Sequence, residues 1–175
     1  MKIICAEKYV SPRERPLTPW EQEVRRISHA LKVPTQEAVT LASRALAPLV
    51  DSAAYNGAAI VLMPVPSSTN STAVNRVFAD ELALQIRAIS GRQVFVRETV
   101  IRLHPVESSC VRRRRGLPGL TVEEHAMERV AGPLIITNTD YYFVDNVATT
   151  GNTLEACKRA LEFGNGIVYA NAGRV

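Results

Sequence analysis

Apolar positions recur along the 175-residue chain in two rhythms that alternate from segment to segment. Residues 2–10 (KIICAEKYV) read as a strand, and residues 11–18, with three charges and two prolines, as a loop. Thr18-Pro19-Trp20-Glu21 has the order of a helix start: a threonine cap, proline at the first helical position and glutamate at the third. Trp20, Val24, Ile27 and Leu31 then form one apolar stripe, which Pro34 ends. A second helix is expected from Gln36 to Val50, with Val39, Ala42, Leu46 and Leu49 inward and Pro48 shortening its end. Ala58–Met63 (AAIVLM) is a continuous apolar run between Gly57 and Pro64, as in a strand buried on both faces. After a polar loop at 66–75 comes a helix with Phe78, Leu82, Ile86 and Ile89 on one face and Gly91 just past its end. Gln93–Arg97 reads as a short strand. Residues 102–133 have no clear period, and Leu134–Thr137 forms a short strand at most. Tyr141–Asp145 is another buried strand. A turn leads into a helix over Thr153–Phe163, with Leu154, Cys157, Ala160 and Leu161 inward and Gly164 closing it. Ile167–Ala170 is the last strand.

Strands that alternate with helices imply an α/β fold with a mainly parallel central sheet and flanking helices. Ligands of such sheets bind at the C-terminal strand ends. The loops after Met63, Arg97 and Asp145 are therefore the candidates for chemistry.

Composition narrows the class. The length fits one domain over residues 1–175, and 46% hydrophobic with 22% charged residues is ordinary for a packed globule. The longest apolar run, Ala58–Val65, is too short to span a bilayer. The first eight residues lack the charge order and length of a signal peptide, so a cytoplasmic location is expected. Cys5, Cys110 and Cys157 are widely spaced, which argues against a disulfide framework. Cys157 reads as core, His29, His104 and His125 lack metal-ligand spacing, and His125 reads as a surface residue. Tyr141 and Tyr142, at the start of their strand, read as packing.

The net charge is +4, and 17 of the 21 basic residues are arginine. That excess suits bidentate grip on phosphate or carboxylate, and equally suits a compositional bias of the genome.

The most informative segment is Val144-Asp145-Asn146-Val147-Ala148-Thr149-Thr150-Gly151-Asn152-Thr153. A buried strand delivers Asp145 to its end, and a tight turn with threonines and a glycine opens the next helix. Backbone N–H groups at a helix start make an anion site, and Gly151 allows close backbone approach. The hydroxyls of Thr149, Thr150 and Thr153 can donate to phosphate oxygens. Asp145 suits sugar hydroxyls or the water shell of a divalent cation. A plain strand–turn–helix would instead use Asn152 as N-cap and Glu155 to complete a capping box. The segment lacks the G-K-[ST] of a Walker loop and is not G-x-G-x-x-G.

This segment resembles the phosphoribosyl-pyrophosphate (PRPP) motif of type I phosphoribosyltransferases. Met63-Pro64-Val65-Pro66, then Arg76-Val77-Phe78, is similar to segments of their competence-associated (ComF-like) branch, as is Arg26–Lys32. The resemblance implies a parallel core under a small hood, built from about residues 1–12 and 98–137. It implies PRPP and Mg2+ at the strand ends, an amine or nucleobase-like acceptor, and a homodimer. Ala148, Thr149, Thr150, Gly151, Asn152 and Thr153 would hold the 5′-phosphate. Asp145 and Asn146 would be the catalytic pair at the ribose hydroxyls, with Asp145 also on the metal through water. Val65, Pro66, Ser67 and Ser68 would form the pyrophosphate loop. Arg76, Arg112 and Arg113 would supply cations to it.

In the family the second position of the acid pair is usually charged, and here it is Asn146. A neutral acceptor there weakens PRPP–Mg2+ binding by about 1–3 kcal/mol. The alternative reading is thus a non-catalytic protein that binds PRPP or a nucleotide and regulates a partner or nucleic acid. Thr149 stands where purine-salvage members often carry an acid, which argues against a hypoxanthine or guanine acceptor. Arg112–Arg115 admits three readings: contact with ligand, a solvated loop paired with Glu123, Glu124 and Glu128, or nucleic-acid binding. The last lacks an interleaved aromatic residue. Glu107, Ser108 and Ser109 fit either a turn cap or a ligand contact.

Overall fold

The computed structural model describes residues 1–55, 58–130 and 137–173. The expected strand over Leu134–Thr137 lies, apart from its last residue, outside the described residues. The chain is α/β with a mainly parallel sheet. In chain order the elements are β1 (Ile3–Lys8), α1 (Pro19–Ala30), α2 (Gln36–Ala53), β2 (Ala59–Pro64), α3 (Ala73–Ser90), β3 (Val94–Val96) and β4 (Val100–Arg102). Then come α4 (Ser109–Arg114), a 3-10 turn (Glu123–His125), β5 (Met127–Arg129), β6 (Thr139–Ala148), α5 (Asn152–Leu161) and β7 (Asn165–Asn171).

Five strands form one sheet in the order β1-β7-β6-β2-β3, and every neighbouring pair is parallel. Alternation along β2 divides the interior in two. Ile60 and Leu62 join α1, α2 and α3 in one core, whereas Val61 and Met63 join Leu154, Cys157 and Leu161 of α5 in the other. β4 and β5 form a separate antiparallel pair, and Val100 packs into the α5 side.

Local chemistry explains the starts and stops. Thr18 and Glu21 close a capping box on α1, with Glu21 N–H donating to Thr18 Oγ1 at 3.2 Å and Thr18 N–H to Glu21 Oε2 at 2.8 Å. Thr35 caps α2, and Gly91, at φ +68°, ends α3. At Gly164 (φ +103°) a Cβ would lie 2.7 Å from Phe143 Cε2, so only glycine fits between α5 and β7.

Several expectations need correction. Pro48 does not shorten α2, which continues to Ala53. Three residues placed inward are exposed: Trp20 (59%), Leu49 (42%) and Ile89 (55%). Trp20 and Ile89 occupy end turns of their helices, and the Trp20 indole N–H donates to Glu7 Oε2 at 3.1 Å instead. Leu49 lies at the margin of the buried arc centred on Leu46. β1 is an edge strand of the central sheet rather than part of a hood. Cys157 is buried, as expected, and so is Tyr142, while Tyr141 packs edge-on to Phe163 with ring centroids 4.9 Å apart. Among the described residues no helix is long and apolar enough to cross a membrane.

Candidate functional site

β6 is longer than its apolar run predicts. Asp145 lies inside the strand, not at its end, because β6 runs on to Ala148 beside β7. Its other neighbour stops earlier: the β2 pairing ends at Pro64 opposite Val144. Val65 N–H still donates to Val144 O at 3.0 Å, and there the chain turns away into residues 66–72. Asp145 and Asn146 therefore flank a step in the sheet. Asn146 N–H donates to Asp145 Oδ1 at 2.8 Å, and Val147 N–H to Asn146 Oδ1 at 2.7 Å.

The step is also where the connections diverge. β2 leads to α3 on one face, and its neighbour β6 leads to α5 on the other. In open parallel sheets, such a point of divergence is where a crevice forms at the carboxyl ends of the strands.

Asn75, in the first turn of α3, bridges the step. Its Nδ2 donates to Val65 O at 2.8 Å and to Asp145 Oδ1 at 3.2 Å. Its Oδ1 is buried with no hydrogen-bond partner. Burial raises the Asp145 carboxyl above the ordinary aspartate range, against the pull of the Asn146 N–H, the Asn75 amide and the Arg102 charge.

The loop after β2 is tightly tied. Val65 and Pro66 are buried, while Ser67 and Ser68 are half-buried. Ser67 N–H donates to Ser71 O at 2.8 Å, and Asn70, at φ +63°, returns its N–H to Ser67 O. Val106 N–H donates to Ser68 O at 2.9 Å. Arg102 then grips the loop, its Nε donating to Ser67 O at 2.8 Å and its backbone N–H to Asn70 Oδ1 at 2.7 Å.

Arg102 is 4% exposed, and its guanidinium also reaches the 3-10 turn. Its Nη1 lies 3.0 Å from His125 Nδ1 and 2.9 Å from His125 O. Since a guanidinium only donates, Nδ1 accepts and the ring proton sits on Nε2, 3.4 Å from Thr153 Oγ1. His125 is thus buried between Arg102 of β4 and Thr153 of α5, not a surface residue. Burial, followed by the Arg102 charge, pushes its pKa down to about 4.

The threonine loop follows β6 directly. Ala148 is buried, Thr149 half-buried and Thr150 exposed. Gly151, at φ +77°, is the N-cap of α5, and no side chain caps the helix. Asn152 is therefore the first helical residue, not the cap, and its Nδ2 donates to Leu120 O at 2.7 Å. Asn152 N–H donates to Thr150 Oγ1 at 3.4 Å, and the N–H groups that follow it in the first turn are the ones that can meet an anion. Residues 120–125 lie against it through Asn152 and Thr153.

The structure thus joins Asp145, Asn146, the 65–68 loop and Thr153 through Asn75, Arg102 and His125. It does not bring Arg76 or Arg112 into that network. Arg76 Nε lies 3.0 Å from Asp80 Oδ2, with Glu98 3.6 Å from its Nη1, and Arg112 Nε donates to Pro118 O at 2.7 Å. Arg115 pairs with Glu107, and Glu123 with Arg159. The Arg113 side chain lies outside the described residues. Among the described residues, the cation that bonds to the 65–68 loop is Arg102, which the sequence reading passed over. A signal was present: Val100 and Arg102 share one strand face, so an arginine stands where alternation asks for an apolar residue.

No protein-family model matches the chain, and none of the curated proteins matches it.

Proposed function

We propose that this protein binds PRPP with Mg2+ and transfers the phosphoribosyl group to an amine or nucleobase-like acceptor, releasing pyrophosphate. The observation that carries this reading is the divergence of β2 and β6 at Asp145, with the uncapped start of α5 beside it. A 5′-phosphate would sit at Thr149–Thr153, with the backbone N–H groups of the α5 start and the threonine hydroxyls as its donors. Asp145 and Asn146 accept from the ribose hydroxyls. The 65–68 loop and the Arg102 guanidinium behind it face the pyrophosphate.

In the reaction the bond from C1 of the ribose to pyrophosphate breaks, a C1–N bond forms, and the acceptor nitrogen sheds its proton. The chain supplies positioning and charge rather than a nucleophile. Mg2+ would add positive charge at the departing pyrophosphate. The donor set fits that ion held through water, since Mg2+ keeps several waters and needs few carboxylates beside substrate phosphates. Asp145 is the residue that would hold it.

A second reading, a non-catalytic PRPP or nucleotide sensor, is favoured by Asn146, a neutral acceptor whose Oδ1 already accepts once, from Val147 N–H at 2.7 Å. Pyrophosphate release measured across a panel of amines and nucleobases separates the two. Turnover with one acceptor, raised by Asn146→Asp, supports transfer. PRPP binding without release from any of them, in either form, supports the sensor.

A further inference from the structure

The outer side of α1 forms one wall of a depression of about 580 Å3, lined by Pro12, Leu17, Gln22, Arg25, Arg26 and His29. Gln22, Arg25, Arg26 and His29 recur at helical spacing, away from the Val24, Ile27 and Leu31 stripe that packs on the sheet. The opposite wall is the segment before α1, drawn in by Gln22 Nε2 donating to Leu17 O at 3.3 Å. The volume falls within the roughly 300–1,000 Å3 of small-molecule sites.

The basic groups here are not equivalent. Arg26 is neutralised by Glu23 at 2.7 Å and Glu37 at 3.1 Å. His29 lies 3.4 Å from the Tyr9 hydroxyl, and burial with the nearby Lys32 and Arg25 charges holds its pKa below the usual range. Arg25 is different. Among the described residues it forms no ion pair, and its Nε is buried without any acceptor. Nε is shielded from the depression, so the Nη groups of this arginine, with no acid beside them, are the donors that can meet an anionic oxygen there. Pro12 and Leu17 offer apolar surface opposite.

We propose that this depression is a binding site for a small organic anion, a carboxylate or a phosphate, whose oxygens meet Arg25 and whose body lies against Leu17 and Pro12. The site is independent of the phosphoribosyl reading. α1 covers the sheet face opposite α5, so a ligand here does not occupy the step in the sheet at Asp145.

The test is a titration of the full chain, followed by 1H–15N spectra that include the arginine Nε–H groups. The probes are benzoate and inorganic phosphate, each at constant ionic strength against chloride. The expected result is saturable shifts of Arg25 Nε–H and of residues 12–29 with at least one probe. The benzoate and phosphate arms show which anion class is preferred. Arg25→Gln should raise the half-saturation concentration roughly tenfold, the loss of one charge-assisted contact. Arg25→Lys keeps the charge but not the fork, should weaken binding less, and serves if the glutamine variant does not fold. Arg44→Gln, an exposed arginine on α2, should change nothing. Shifts that are linear or equal to those in chloride overturn the proposal, as does an Arg25 variant that titrates like wild type. Phosphate shifts confined to residues 148–153 also overturn it while leaving the phosphoribosyl reading intact.

Discussion

Asn75 and Asp145 meet across the gap that opens where β2 leaves the sheet, Asn75 Nδ2 donating to Asp145 Oδ1 at 3.2 Å and to Val65 O at 2.8 Å. One amide thus fixes a carboxylate on β6 and the first residue of the neighbouring loop. Asn75→Ala removes both bonds from a buried position and should cost about 1–3 kcal/mol of stability, read by chemical denaturation. It should also weaken PRPP binding, because the Asp145 carboxylate loses the donor that orients it. Asn75→Asp should be worse for both, since it sets a second carboxylate against the first.

Asp145 itself is held at a cost. Its pKa is raised in the folded protein, so the folded state binds that proton more tightly than the unfolded chain does. Ionisation then opposes folding, and the penalty grows as pH rises from the unfolded aspartate range through the raised folded value. Asp145→Asn keeps an acceptor for Asn75 and for Asn146 N–H and removes the charge. The variant should be more stable than wild type at pH 7 and no more stable at low pH, where wild type is protonated. It should also lose Mg2+-dependent PRPP binding. Melting temperatures at pH 4 and pH 7, paired with a binding assay, check both halves.

His125 has the opposite sign. Its folded pKa is pushed down to about 4, so its burial contributes stability that is present above the unfolded histidine range. That stability drains away as pH falls from about 6.5 toward 4, where the ring must gain a proton next to Arg102. The drop should be on the order of 3 kcal/mol at most. His125→Gln should flatten this part of the stability–pH curve. In wild type, amides of residues 120–129 should exchange faster with solvent at pH 4.5 than the pH dependence of chemical exchange explains.

Much of the architecture was legible in the sequence because its strands are buried on both faces. AIVLM and YYFVD announce a parallel sheet, and the 18-21 and Gly91 signals mark helix ends by local chemistry alone. Asp145 was legible as chemistry but misplaced at a strand end, since the length of β6 depends on β7 and not on its own apolar run. The residues that tie the site together were not legible. Asn75, Arg102 and His125 lie 70, 35 and 28 positions from their respective partners Asp145, Ser67 and Thr153. Their roles come from tertiary bonds that carry no local period. The arginine run drew attention by density, yet its described contacts are to Glu107 and Pro118.

In the proposed function, PRPP binds at the step beside Asp145 with its 5′-phosphate at the start of α5. Isothermal titration calorimetry of the full chain with PRPP and Mg2+ tests it most directly, with Thr150→Ala alongside. Thr150 is exposed, so the substitution should leave the fold intact. The expected result is one saturable site that requires Mg2+ and is weakened roughly tenfold or more by Thr150→Ala, through loss of a hydroxyl to phosphate. No heat from PRPP with Mg2+, or binding that Thr150→Ala leaves unchanged, would contradict it.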